Sequence, residues 1–325
     1  MRFRPLSVHL KAGLLALTVG LLGPAAWAQE RWLLVSPFPP GGPVDTLSRI
    51  LAEGLQKKSG LPALVENLPG AAGNLGIDKV RKAKPDGRTL LVVPAGNLTI
   101  NPTLMPNFPF NIEREFAPVT MLAKAPNVLV ASSAARINSP RELVAQAKAR
   151  PGTLSYASPG IGSGLHLAGE LFKQQTDVDL LHVPYKGTGP ALNDVLGGTV
   201  PLMFSNLPAT LQHIRSGKLV ALGVTDSVRD AVVAPEIPTL AELGIPGVVV
   251  TSWYGVLAPA GTPPEAVAQV LKDATDALAR PEVREQLRSQ GLTPVLMKPV
   301  EFAAHIKAET ATWAGIIKAR SIVAE

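Results

Sequence analysis

Apolar residues in this chain follow two rhythms. Short, dense apolar runs recur at Arg31–Ser36, Ala63–Glu66, Thr89–Val93, Asn127–Ala131, Thr153–Ala157, Leu180–Val183, Val200–Phe204, Leu219–Thr225 and Val248–Thr251. Each is short, bounded by Gly, Pro, Ser or Asn, and predicts a buried strand. Between them apolar positions return every three or four residues, as in Val44-Leu47-Leu51-Leu55, Leu143-Ala147, Leu165-Ala168-Leu171-Phe172, Val267-Val270-Leu271-Ala274 and Phe302-Ile306-Trp313-Ile317. That spacing places one apolar stripe on a helix. Strands alternating with helices predict an α/β fold of mostly parallel sheets with helices on both faces.

The strands would overfill one sheet, and helical segments after Pro263 close the chain. Two balanced lobes result if residues 29–128 and 252–325 build the first and residues 129–251 are inserted as the second. A ligand cleft would then lie between them.

The first 28 residues read differently. Arg2, Arg4 and Lys11 precede an apolar run from Ala12 to Leu22, and Ala26-Trp27-Ala28 ends it with small residues at the cleavage positions. The run is shorter than the ~18–20 residues a bilayer span needs, so it predicts a cleavable secretory signal, cut after Ala28. The expected mature chain is exported. Its net charge falls from +6 to +3, because the prefix carries three basic residues and no acidic one.

Hydrophobic residues at 46% and charged ones at 17% exclude intrinsic disorder. Cysteine is absent, which removes disulfides, thiolate metal sites and Cys nucleophiles. Lys and Arg are scattered over predicted polar helix faces, and three Tyr and four Trp offer little for base stacking, so nucleic acid is not an expected partner.

The candidate chemistry lies where strands give way to helices. These junctions are Pro37–Pro43 followed by Asp45, Pro94-Ala95-Gly96-Asn97, Ser158–Gly164, Tyr185–Pro190 and Ser205–Pro208. Pro43, Pro190 and Pro208 suit a first helical position, and Ser163, Thr188 and Asn206 are N-cap types. Ligands of open α/β sheets bind beyond the carboxyl ends of strands, and a helix start offers free N–H groups and about half a positive charge. Five such junctions predict a site for a small anion. Asp45 either stabilises its helix, ties down the Gly41-Gly42 loop, or accepts from a ligand. His166 either donates to an anion or is a satisfied structural histidine; His182 and His213 read as structural or surface groups.

Catalytic motifs are weak. Ile161 occupies the place of the first glycine in a G-x-S-x-G elbow around Ser163, and no phosphate-binding or dinucleotide fingerprint follows a strand. His166 and Glu170 lack a third ligand for a metal. The enzymatic alternative is a secreted hydrolase using Ser163 and His166. It requires a serine oxygen within ~2.6–3.2 Å of a ring nitrogen that a third group orients. A structural envelope protein would instead lack a cleft.

These loops resemble the substrate-binding receptors of tripartite tricarboxylate transporters, the Bug-type periplasmic receptors. The resemblance rests on Pro39-Pro40-Gly41-Gly42-Pro43-Val44-Asp45, Val65–Asn74, Pro85-Asp86-Gly87, Ile100-Asn101-Pro102 and Phe116-Ala117-Pro118-Val119. It continues through Leu167–Phe172, His182–Gly187, Leu196-Gly197-Gly198, Thr251–Gly255 and Leu257–Pro263, in order along the whole mature chain. It implies a type II periplasmic binding protein fold, no catalysis, no cofactor, and a carboxylate held largely by main-chain groups and water. It also implies a periplasmic location and membrane permease subunits as partners; a monomer is expected. Carried over by position, Gly41, Gly42 and Asp45 serve one lobe with Ala95 and Asn97. Ser158, Gly162, Ser163, His166, Thr188, Ser205 and Asn206 serve the other. Two departures stand out. Phe204-Ser205-Asn206 replaces the frequent Phe-Asp-Asn, which points to a ligand without an amino group. Phe38 in its Pro-rich entry either packs on an apolar ligand body or covers its own lobe.

Overall fold

The computed structural model describes residues 30–231, 233–319 and 321–323, so the predicted signal segment lies outside the described residues. The first strand, β1 (Trp32–Ser36), feeds α1 (Pro43–Ser59), then β2 (Ala63–Asn67), α2 (Asn74–Arg81) and β3 (Thr89–Pro94). Three short helices follow, α3 (Ala95–Thr99), α4 (Asn101–Leu104) and α5 (Ile112–Glu115), before β4 (Phe116–Ala125). The chain then continues through β5 (Asn127–Ser132), α6 (Pro140–Ala149), β6 (Ser155–Ser158), α7 (Gly164–Thr176), β7 (Leu181–Pro184), α8 (Thr188–Leu196), β8 (Leu202–Asn206), α9 (Leu207–Arg215) and β9 (Leu219–Val224). It returns in β10 (Ser252–Pro259) and ends with α10 (Pro264–Ala279), α11 (Pro281–Ser289), β11 (Thr293–Pro294) and α12 (Pro299–Ala319).

Two sheets result, ordered β11-β4-β10-β3-β1-β2 and β7-β6-β8-β5-β9. Strands β1, β2 and β3 run parallel, as do β6, β7 and β8, but β10 runs antiparallel to both β3 and β4, and β5 to both β8 and β9. The expectation of mostly parallel sheets is therefore corrected to mixed ones. Strands β5 and β10, each the first after a crossing, run against the βαβ strands of their sheets, and the short β11 is antiparallel to β4.

Burial explains each element. In α1, Pro43 fits the first turn, Asp45 opens it, Lys57 and Lys58 close it, and Leu47, Leu51 and Leu55 face the core. Along β3, Leu90 and Val92 join the cluster under α1 and α10, while Leu91 and Val93 join the cluster under α2 and α12. The second sheet repeats this: Leu129, Leu202 and Phe204 pack with α6 and α7, Val128, Val130 and Met203 with α8 and α9. Burying one such side chain stabilises the fold by about 1.5–3 kcal/mol.

The predicted strand at Val248–Thr251 is extended but belongs to neither sheet; the ladder begins at Ser252. Val248 and Val250 are buried and Val249 exposed, so the alternation is that of a strand, yet the segment's backbone bonds to Thr225. Strand β4 was not among the predicted strands, since Pro118 interrupts its pattern; opposite Pro118 the ladder shifts register at Val256/Leu257.

The connection between sheets is polar and dense. Asn127 Nδ2 donates to Val250 O at 2.9 Å, and Asn127 Oδ1 accepts from Asn206 Nδ2 at 2.8 Å and Ser252 Oγ at 2.9 Å. Asp226 accepts from Asn127 N at 3.3 Å and from Thr251 Oγ1. Helix α12 adds a third link: Phe302 and Ile306 pack in the first lobe's core, Trp313 and Ile317 in the second's. Glu309 between them accepts from the indoles of Trp253 at 2.6 Å and Trp313 at 3.0 Å.

Candidate functional site

The β1–α1 loop is held by one carboxylate. Asp45, 5% exposed, accepts from Gly41 N at 3.1 Å and Arg49 Nε at 3.0 Å through Oδ2, and from Asn67 Nδ2 at 3.0 Å through Oδ1. Burial works to raise its pKa, but hydrogen bonds from Arg49, Gly41 and Asn67 outweigh that and hold the carboxyl below the usual range. Of the roles open to Asp45 on sequence grounds, the bond to Gly41 is the loop-tying one. Gly42 caps α1. Asn67 also donates to Phe38 O at 3.1 Å, and the half-buried Phe38 ring packs against its own lobe's core. Asn67 was quoted in the resemblance but not as a site residue, and its place at the end of β2 was the signal.

On the same lobe Ala95 and Asn97 are buried in α3, and Asn97 Nδ2 donates to Ala72 O at 2.7 Å. This joins the β3–α3 junction to the loop after β2, beside Pro37.

In the other lobe the β6–α7 loop folds on itself. Ser163 is the N-cap of α7: its Oγ accepts from the main-chain N of His166 at 3.1 Å and donates to Gly160 O at 2.7 Å. Both roles of that hydroxyl are taken, and neither involves the His166 ring. The Ser163/His166 nucleophile pairing that a hydrolase requires is not formed. Ser158, fully buried, meets His182 Nε2 at 2.7 Å through Oγ. The rings of Tyr156, His182 and His166 stack in series, with centroids 4.9 Å and 4.2 Å apart. Tyr156 donates to Glu170 Oε1 at 2.8 Å, and Lys173 pairs with Glu170 at 3.1 Å. Burial, then the Lys173 ammonium, push His166 down to about 4; burial, then His166, push His182 down to about 3. Both rings are neutral near pH 7. His182, read as structural in the sequence, is the hydrogen-bonding partner of a site serine; its sequence position 24 residues from Ser158 hid this.

The β7–α8 junction is strapped to the same loop by Tyr185 N to Ser158 O at 3.1 Å and Gly187 N to Pro159 O at 2.9 Å. Gly187, not Thr188, is the cap of α8, and Thr188 is its first residue. Ser205 is fully buried with its Oγ unpartnered. Asn206 stands at the N-cap of α9 without a capping bond; its Nδ2 donates to Asn127 Oδ1 and Ser252 Oγ, which holds the side chain toward the connection between the sheets.

The two lobes meet at these junctions. A Cβ built on Gly96 would lie 2.7 Å from Gly162 O, and one built on Gly162, whose φ is +77°, would lie 2.5 Å from Asn101 Oδ1. Only glycine permits that approach. Ile100 and Leu104 pack in one cluster with Leu165 across the same seam. The structure thus brings Ala95, Asn97, Gly162, Ser163 and His166 to one seam, with Gly41, Gly42 and Asp45 joined to it through Asn67, Pro37 and Ala72. Among the described residues no cluster of three or more His, Asp or Glu is arranged to hold a metal, and no helix is long and apolar enough to cross a membrane.

Two mixed α/β sheets, each with helices on both faces and joined by crossing strands, define a two-lobed periplasmic binding protein fold. Residues 47–322 match the tripartite tricarboxylate transporter family receptor, and the chain belongs to that family. It is 38% identical over 310 residues to Protein BugT of Bordetella pertussis (strain Tohama I), covering 94% of this chain and 95% of that one. Among solved structures, the periplasmic binding protein BugD matches with a TM-score of 0.81 at 34% identity, over 90% of this chain and 98% of that one. Rpa4515 of R. palustris with adipate matches with a TM-score of 0.83 at 33% identity, over 91% and 99%. MatC (Rpa3494) of Rhodopseudomonas palustris with bound malate matches with 0.80 at 32%, over 88% and 99%.

Proposed function

We propose that this receptor captures a small carboxylate between its lobes in the periplasm and presents it to the permease subunits of a tripartite transporter. The observation that carries the reading is the seam at Gly96 and Gly162, where loops from the carboxyl ends of β3 and β6 come into contact. Family membership and the adipate and malate held by relatives of the same fold support the ligand class. The lobes are assigned as residues 29–128 with 252–325 and residues 129–251. Sheet membership supports the division, with crossings at Pro126 and between Thr225 and Thr251, but starts the second lobe at Asn127, two residues before the assigned boundary.

In this reading the first-turn amides of α1 and α7 meet the carboxylate, each helix start contributing about half a positive charge. Gly41, Gly42, Asp45, Ala95 and Asn97 shape one wall, with Phe38 at its entry. Ser158, Gly162, Ser163, His166, Thr188 and Ser205 shape the other. The neutral histidines add no positive charge, and the nearby Arg49 guanidinium is paired with Asp45. Preferential binding to the closed form drives closure, and Asn206 acts at the connection between lobes.

The test is a thermal-shift panel of mono-, di- and tricarboxylates and aromatic acids. At a hundredfold excess over Kd a ligand adds about 2.7 kcal/mol of stability. An upshift with a carboxylate is expected. Shifts confined to sugars or metal ions would remove the carboxylate reading.

A further inference from the structure

Asn101 opens α4 in the first lobe and is 3% exposed, yet its Oδ1 is buried without a hydrogen-bond partner. Such an orphan is uncommon and costly in a folded protein. It lies beside Gly162 of the opposite lobe, 2.5 Å from where a Cβ on that glycine would stand. Gly162 in turn is poorly served: its N–H reaches His166 Nδ1 at 3.4 Å, beyond the usual range for a good bond. An acceptor without a donor therefore lies against the Cα of Gly162, a residue whose own N–H has only a long bond. Neither belongs to the lobe of the other, so the pair is sensitive to how the lobes are apposed.

We propose that Asn101 is the closure latch of this receptor: when a carboxylate draws the lobes together, the Asn101 side-chain oxygen takes the Gly162 N–H and ties α4 to the loop that opens α7. The exchange also releases His166 Nδ1 from the loop amide, while the ring stays stacked on His182. This rests on the carboxylate-receptor reading above. It assigns to Asn101 a role in retention, whereas a structural asparagine would stabilise the unliganded protein.

The experiment compares the full mature protein with Asn101→Leu and Asn101→Ala. Each is titrated calorimetrically with malate, adipate, succinate, citrate and benzoate, and melted without ligand. The latch predicts that the variants bind the preferred acid about three- to tenfold more weakly, the range of one hydrogen bond. The loss should lie in a faster dissociation rate, with the unliganded melting temperature unchanged or raised because a buried orphan is gone. If the wild type binds an acid and both variants match it within twofold, the latch is wrong and the receptor reading stands. A lowered unliganded melting temperature with unchanged ligand affinity would likewise make Asn101 structural. If the wild type binds none of these acids, the carboxylate reading itself fails and the latch with it.

Discussion

Gly96 lies against the carbonyl oxygen of Gly162, so close that a single added methyl would sit 2.7 Å from it. The two residues follow strands of different sheets, β3 and β6, with Gly96 in α3 and Gly162 in the loop that opens α7. Contact at this distance turns a local choice of side chain into a property of the whole molecule.

Gly96→Ala is expected to weaken carboxylate binding about tenfold or more, since the methyl wedges the seam and removes close-packed contact. Gly96 sits within α3, where alanine has the better helix propensity, by about 1 kcal/mol. The seam contact is present without ligand, so the methyl should also lower the unliganded melting temperature, by less than the wedge alone because of that propensity. Isothermal titration beside a thermal melt separates the two, and equal affinity would show that the lobes do not close at this point.

Asp45→Ala removes the charged acceptor shared by Gly41, Asn67 and Arg49, donors that are exposed or half-buried. The expected loss is about 1–3 kcal/mol in urea denaturation. Because hydrogen bonding holds the Asp45 carboxyl below its ordinary 3.8, its stabilisation is present above that pH and disappears as pH falls through the depressed folded value. The variant should lack this acid-side component.

The histidine pair acts with the same sign by a different route. His166 and His182 stay neutral in the fold down to about 4 and 3, while unfolded histidine takes up its proton near 6.5. Between those values the unfolded chain binds more protons, so stability falls as pH drops below 6.5. His182→Gln retains an amide for Ser158 but does not titrate, and denaturation midpoints from pH 7 to 4 should decline less steeply. An unchanged slope would mean that His182 is charged in the fold.

Ser163→Ala should cost about 0.5–2 kcal/mol through loss of the N-cap. The Ser163 hydroxyl gives its proton to Gly160 O and has no histidine nitrogen as general base, so serine-directed fluorophosphonates should leave Ser163 unlabelled. Labelling at Ser163 would reopen the hydrolase alternative.

What sequence reveals here follows the range of the interaction. Ser163 could be read as a cap because its partner is three residues away, and the unbroken apolar run of β3 or β5 announces two buried faces in a handful of positions. Asn206 has the composition of a cap, but Asn127 and Ser252, 79 and 46 residues distant, claim its amide. Strand β4 hid behind Pro118, beside which β4 itself bulges by one residue, Val119, against β10. Asn101 appeared only as part of a short motif. Its significance arises from Gly162 in the opposite lobe, a neighbour created by folding, to which local periodicity is blind.

Because Asn127 clasps Val250 at 2.9 Å, the inserted lobe begins and ends at one spot. Topologically it is a loop enlarged to the size of a domain, with a stem only a hydrogen bond wide. A gene fragment spanning 127–250 would encode a polypeptide whose termini nearly touch, suited to head-to-tail cyclisation or transplantation into a related scaffold. The hydrophobic facing supplied by Trp313 and Ile317 is what a grafted copy would have to borrow from its new host.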